Sequence, residues 1–153
     1  MKKLLSCLFI FSFLMFFGCS GKEPVPPAPI SSEYSAKLHI LCGKSEYSAE
    51  IIGTDRMMII SPDALSLLEF RNENGIIIAQ YGRQTISEEQ TDVPLKDLFV
   101  RLSAILKKVG NGEYTQSEGI ISYSESGCYL TLDCENGLPE SFSGNGYEVE
   151  FIY

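Results

Sequence analysis

The chain has a single histidine, His39, among its 153 residues. A Ser-His-Asp or Cys-His arrangement would have to use it, yet it falls on the polar phase of its segment, beside Lys37. No Gly-x-Ser-x-Gly elbow is present. Transition-metal sites want several His or Cys ligands at matched spacing, and one His cannot supply them. No calcium loop, P-loop or dinucleotide fingerprint occurs. Glu88-Glu89 reads as a solvated loop pair and not as a general acid/base pair. Cations are scarce too: 12 Lys and Arg stand against 20 Asp and Glu, a formal charge of -8. Phosphate backbones repel such a chain, so nucleic acid is not an expected partner. Long apolar runs are also missing. Residues 4–17 form an uncharged stretch of 14, short of the ~18–20 needed for a stable membrane-spanning helix. These absences exclude most enzyme classes, and neither cofactor nor metal is expected.

That short run has a reading of its own. Lys2 and Lys3 precede it, no acidic residue occurs before Glu23, and small Gly18 closes it. A basic start, an apolar core and a small residue make a secretory signal, here residues 1–18, removed on export. Cys19 follows directly. The stretch Phe16-Phe17-Gly18-Cys19 resembles the lipobox of bacterial lipoproteins, with Phe16 and Phe17 where that pattern has an aliphatic and a small residue. Cys7 lies too early, because no hydrophobic core precedes it. The resemblance implies that Cys19 becomes the acylated N-terminus, carrying fatty acyl groups such as palmitate. The chain is then held at the extracytoplasmic face of a cell membrane.

Residues 19–33 form the tether. Within 21–33 lie four prolines and few core-forming residues. Proline fixes φ and removes a donor, so the segment favours extended polyproline II, roughly 3 Å per residue. It would hold the body about 30–40 Å from the membrane. Loss of Lys2 and Lys3 with the leader leaves 10 Lys and Arg against the same 20 Asp and Glu, a charge of -10. An anionic membrane surface repels that charge, so a lipid is what would keep the protein there.

Residues 34–153 make one domain of about 120 residues, long enough to bury roughly two thirds of its surface. Period-two alternation marks strands. Ala36, Leu38, Ile40 and Cys42 share one face, with Lys37 and His39 on the other. Tyr47, Ala49 and Ile51 repeat the pattern after the turn Gly43-Lys44-Ser45. Cys128, Leu130, Leu132 and Cys134 do so again, as do Tyr147, Val149, Phe151 and Tyr153. Asn-Gly, the strongest short hairpin signal, occurs at 74–75, 111–112, 136–137 and 145–146. Ser61-Pro62-Asp63-Ala64-Leu65 reads as a cap and one helical turn. One segment differs: at 93–109, Leu95, Leu98, Phe99, Leu102, Ile105, Leu106 and Val109 recur at three and four, an amphipathic helix. Asp92 is its expected cap, Pro94 its first turn and Gly110 its stop. Its apolar stripe must be buried against the sheet. The expected fold is α+β and mostly β: a curved antiparallel meander sheet, or half-barrel, with one helix on its concave face.

That architecture resembles the half-barrel of LolA-like lipoprotein carriers. More closely, the chain is similar to small surface lipoproteins of anaerobic single-membrane bacteria. Those share a lipobox, a short linker, hairpins, a Pro-started helix, a closing meander and a Ser-Pro-x-x-Leu-x-x-Leu-x-Phe stretch. Here the stretch is Ser61-Pro62-Asp63-Ala64-Leu65-Ser66-Leu67-Leu68-Glu69-Phe70. The resemblance implies a non-catalytic binding module whose cavity takes an apolar or lipid ligand, with Phe70, Leu98, Phe99, Leu102, Leu106 and Tyr123 as its lining. The same residues serve an alternative: a structural or interaction lipoprotein of the cell envelope, with a filled core and a protein partner. Cys42, Cys128 and Cys134 remain after Cys7 and Cys19 are assigned. Cys42 could bridge Cys128 or Cys134, or all three are buried thiols, the reading an anaerobic habitat favours.

Overall fold

A computed structural model describes residues 27–86 and 93–153. The leader, Cys19, the Glu88-Glu89 pair and the expected cap Asp92 lie outside the described residues. Eleven strands form one antiparallel sheet: β1 (Ser35–Cys42), β2 (Ser45–Ile52), β3 (Arg56–Ser61), β4 (Leu68–Glu73), β5 (Ile76–Tyr81), β6 (Gln84–Thr85), β7 (Thr115–Ser117), β8 (Ile120–Glu125), β9 (Cys128–Asp133), β10 (Pro139–Gly144) and β11 (Tyr147–Ile152). Among the described residues one α-helix, α1 (Lys96–Leu106), lies between β6 and β7 in the chain. The sheet is curved and open, and the fold is the expected α+β half-barrel with one helix.

Strand order is β6-β5-β4-β3-β2-β1-β11-β10-β9-β8-β7. Every neighbour pair is a hairpin except one. The first and last strands pair at the middle of the sheet, in the register Leu38↔Phe151 and Ile40↔Val149. The two short edge strands, β6 and β7, are therefore the ones that α1 connects. A chain that starts and ends in mid-sheet must cross from one edge to the other, and α1 makes that crossing over the concave face.

Local chemistry explains the turns. Asn74-Gly75 has φ 55° and 91°, and Asn145-Gly146 has φ 52° and 82°, the left-handed pair of a type I′ hairpin. Glu118-Gly119 and Ser126-Gly127 make the same pair, and neither carries the Asn signal. The other two Asn-Gly pairs do not form the two-residue type I′ turn. In the β9–β10 loop the Asp133 carboxylate accepts from the backbone N–H of Glu135 and from Asn136 Nδ2, both at 2.7 Å. At 111–112 the Gly112 N–H donates to Lys108 O at 2.6 Å, closing the end of α1. Competing hydrogen bonds from the preceding residues decide these two cases.

The helix is shorter than the apolar stripe. Leu95 sits at φ 62° as its N-terminal flank, so Pro94 lies before the helix and not in its first turn. Gly110, at φ 84°, ends the segment as expected. Ser61 closes β3 and does not cap the 3-10 turn Asp63–Leu65, whose flanking residue is Pro62.

Part of the tether belongs to the body. Pro27 is buried, and Ile30 packs against the core. Pro29 lies so close to Gly110 that a Cβ there would meet its ring at 2.7 Å. A Cβ on Gly137 would touch Pro27 at 3.6 Å. The segment therefore closes the end of the half-barrel between the C-terminus of α1 and the β9–β10 loop. Tyr34 continues this closure: its hydroxyl donates to that of Tyr153 at 2.9 Å, which donates to Pro139 O at 2.7 Å. Burial, and then that donated bond, push the Tyr34 phenol far above its usual range.

Candidate functional site

The concave face and α1 hold the residues that the sequence offers as a ligand lining. On the sheet side, the inward phase supplies Phe70 from β4 and Tyr123 from β8. On the helix side, 3.6-residue periodicity places Leu98, Phe99, Leu102, Ile105 and Leu106 on one stripe, each 0 % exposed. All six expected residues join one continuous core. Phe70 and Phe99 stack with centroids 5.7 Å apart and planes at 23°. Tyr123 packs on Tyr114 at 5.8 Å and accepts the Gly110 N–H at 3.1 Å. Removal from water raises its phenol above the ordinary range. Each fully buried aliphatic or aromatic side chain here stabilises the fold by about 1.5–3 kcal/mol.

Polar contacts pin α1 over this core. Ser103, the one buried polar side chain among the described residues, accepts from Asn72 Nδ2 of β4 at 3.1 Å. Lys107 reaches Asp55 of the β2–β3 turn at 2.6 Å, and Lys108 reaches Glu125 of β8 at 3.0 Å. Asp97 accepts from Arg101 at 2.9 Å and from Asn145 of the β10–β11 turn at 2.6 Å. The Arg101 bond holds the Asp97 carboxyl below its usual range. These ties engage both halves of the sheet, so α1 works as a strut between edges that share no hydrogen bond. Glu125 Oε2 is buried without a hydrogen-bond partner among the described residues.

Three described clefts open to solvent, and none is lined by the six residues. One of about 280 Å³ lies beside Tyr153 and the β9–β10 loop. Another, about 240 Å³, runs between α1 and the β8–β9 turn along Asp97, Arg101 and Glu125. The third, about 310 Å³, lies on the convex face over β1, β11 and β10. His39 lines it, with Nε2 2.8 Å from Glu46 Oε1 and Nδ1 4.0 Å from Glu150 Oε2. Among the described residues no group of three or more His, Cys, Asp or Glu could hold a metal ion, and no helix is long and apolar enough to cross a membrane.

Cys42, Cys128 and Cys134 are free thiols. The register gives the reason for Cys42 and Cys128. Cys42 pairs with Tyr147, Tyr147 with Gly144, and Gly144 lies against Cys128. Three inter-strand steps separate the two cysteines by about 14 Å, beyond the ~7 Å Cα separation that a disulfide tolerates. Cys134 follows β9 at the opposite end of the sheet.

On the convex face of β3 and β4, Arg56 and Arg71 stand directly opposite each other and both donate Nε to Glu69 Oε1 at 2.6 Å. Partial burial opposes ionisation of Glu69, but the bonds and charges of Arg71 and Arg56 outweigh it and hold the carboxyl below its ordinary 4.5. Its folded pKa is thus lower than its unfolded one. The stability it contributes is present above pH 4.5 and is lost as pH falls through the folded value. Thermal melts at decreasing pH should show this loss, and Glu69→Gln should flatten the acid limb. The change should be a few degrees at most, because the pair is partly solvated. An acid limb as steep in Glu69→Gln as in the parent would refute this account.

Comparison with known proteins returns no matching family model, no matching curated protein and no matching solved structure.

Proposed function

We propose that this chain is a non-catalytic, lipid-anchored interaction protein of the extracytoplasmic face, with a filled half-barrel as its body. One observation supports the filled body above the others: the stripe of α1 is wholly buried on the concave face, with Phe99 stacked on Phe70. An acyl chain would need the volume that Leu98, Phe99, Leu102 and Leu106 occupy. The six residues then serve as core, and partners meet the outer surfaces. Export and acylation at Cys19 rest on the leader and on the resemblance to a lipobox. The LolA-like resemblance then describes the shape of the body and not the carriage of lipid.

Native mass spectrometry tests the filled core directly. The mature chain carrying Cys19→Ala, incubated with total membrane lipid, should desolvate without an adduct. A lipid adduct that survives desolvation would displace this reading in favour of an apolar-ligand carrier.

A further inference from the structure

We infer that the convex face around Tyr129 and the cleft over β10, β11 and β1 binds a glycan: an extended, neutral, polyhydroxylated chain. Residues far apart in sequence meet here in two parallel rows. In one row, Thr115, Ser122, Thr131 and Ser141 stand side by side on β7 to β10, followed by Glu150 of β11 and His39 of β1. In the next, Ser124, Tyr129, Ser143, Glu148 and Leu41 are register neighbours across β8 to β1. Four adjacent short hydroxyl side chains keep this part of the convex face free of bulky groups. Thr131 Oγ1 and Ser141 Oγ lie 2.7 Å apart, within hydrogen-bonding distance.

The cleft of about 310 Å³ opens within these rows, lined by His39, Leu41, Ser141, Ser143, Glu148 and Glu150. That volume is at the lower end for small-molecule sites and accommodates a sugar ring. Tyr129 borders it as the cross-strand neighbour of Ser143 and is 55 % exposed. Between two serines its ring is a platform for the apolar C–H face of a sugar, and Leu41, 39 % exposed, is a second. The carboxylates of Glu148 and Glu150 accept hydrogen bonds from sugar hydroxyls, while serine hydroxyls and imidazole donate or accept. Extended over seven strands at about 4.8 Å each, the first row with its continuation to Ser48 spans roughly 30 Å, a length that suits a polymer.

Charge narrows the class. Glu46, Glu148 and Glu150 surround the cleft, and the whole chain is acidic. Acidic glycans and phosphates are repelled. A protein partner fits poorly, since interface hot spots draw on clustered aromatics and arginine and these rows hold one tyrosine and no arginine. The docked tether segment closes the end of the half-barrel and leaves this lateral face open.

Affinity electrophoresis of the mature chain tests the assignment, with soluble hydroxyethyl cellulose, mannan or glycol chitin in the gel and polygalacturonate as the anionic control. At least one neutral polymer should retard the protein, and polygalacturonate should not. Tyr129→Ala should weaken retardation about tenfold, Ser143→Lys should weaken it comparably, and Tyr129→Phe should retain it. Tyr129 is exposed, so its variants should keep the parent circular dichroism spectrum. Failure of all three neutral polymers, retardation by polygalacturonate, or retardation undiminished by Tyr129→Ala would each overturn the assignment. A self-association abolished by Tyr129→Ala in sedimentation velocity would give the face to a second copy and overturn it as well.

Discussion

Cys19→Ala should abolish lipid anchoring of the mature chain, leaving either released protein or unprocessed precursor. The expectation rests on several features that agree. Residues 4–17 are too short to span a bilayer stably but suit a signal core, and Cys19 directly follows the small residue that ends it. The mature chain would carry 10 basic against 20 acidic residues, so electrostatics would not hold it at an anionic surface. An acyl group is the remaining source of affinity, at about 0.8 kcal/mol per buried methylene. Cell fractionation and intact mass check the result: the parent should be membrane-bound with its leader removed. A mature Cys19→Ala protein that still sediments with membranes would refute the anchor. The docked tether sharpens the expected geometry. The segment is seated by Pro27, so with Cys19 acylated only the chain between Cys19 and Pro27 would space the body from the lipid. Eight steps of chain reach under about 30 Å, less than the whole tether would allow. The tethered end of the half-barrel would then face the membrane closely.

Phe99→Ala should cost about 3–5 kcal/mol of stability, the range for deleting a buried aromatic in a core that relaxes only partly. Phe99 is 0 % exposed and loses its stack on Phe70. Urea denaturation followed by circular dichroism should show a lower midpoint with an unchanged slope. Val100, one residue on, is 40 % exposed, and Val100→Ala should stay within about 0.5 kcal/mol. The contrast between adjacent residues separates burial from any general effect on the helix. A Phe99→Ala loss below about 1 kcal/mol would mean that α1 contributes little to the core, and would turn attention to a helix that lifts from the sheet.

Much of this fold can be read from short windows of sequence. Alternation at Ala36, Leu38 and Ile40 and at Cys128, Leu130 and Leu132 marks strands with their buried faces, because side chains on a strand alternate regardless of its partner. The stripe from Leu98 to Leu106 marks the one helix for a similar reason. Asn74-Gly75 and Asn145-Gly146 specify their turns through the φ that each residue tolerates. The misreadings arise where local signals compete. Asp133 takes Asn136 into a loop, and a left-handed Leu95 delays the helix past Pro94. Gly119 and Gly127 complete tight turns with Glu and Ser partners, which carry no strong sequence signal.

The candidate surfaces were legible only in part. Phe70, Leu98, Phe99, Leu102, Leu106 and Tyr123 are identifiable as one apolar set, but the sequence reads equally as lining or as core. The choice between these depends on packing, on how far α1 settles onto the sheet, which no short window of sequence encodes. His39 reads as an ordinary surface residue until β11 places Glu150 beside it.

The sequence by itself determined the short apolar run that precedes Gly18-Cys19, the acidic balance, the strand faces, the helical stripe and the two Asn-Gly hairpins. Each is set by composition or by residues within about one turn or strand of one another. Tertiary structure alone decided that β1 pairs with β11, that α1 joins the two sheet edges, that Cys42 and Cys128 stay apart, and that Pro27 and Pro29 close one end of the barrel. It alone aligned the hydroxyl row with Tyr129 and His39. These are matters of strand order and register, which follow from the burial of the whole apolar face at once.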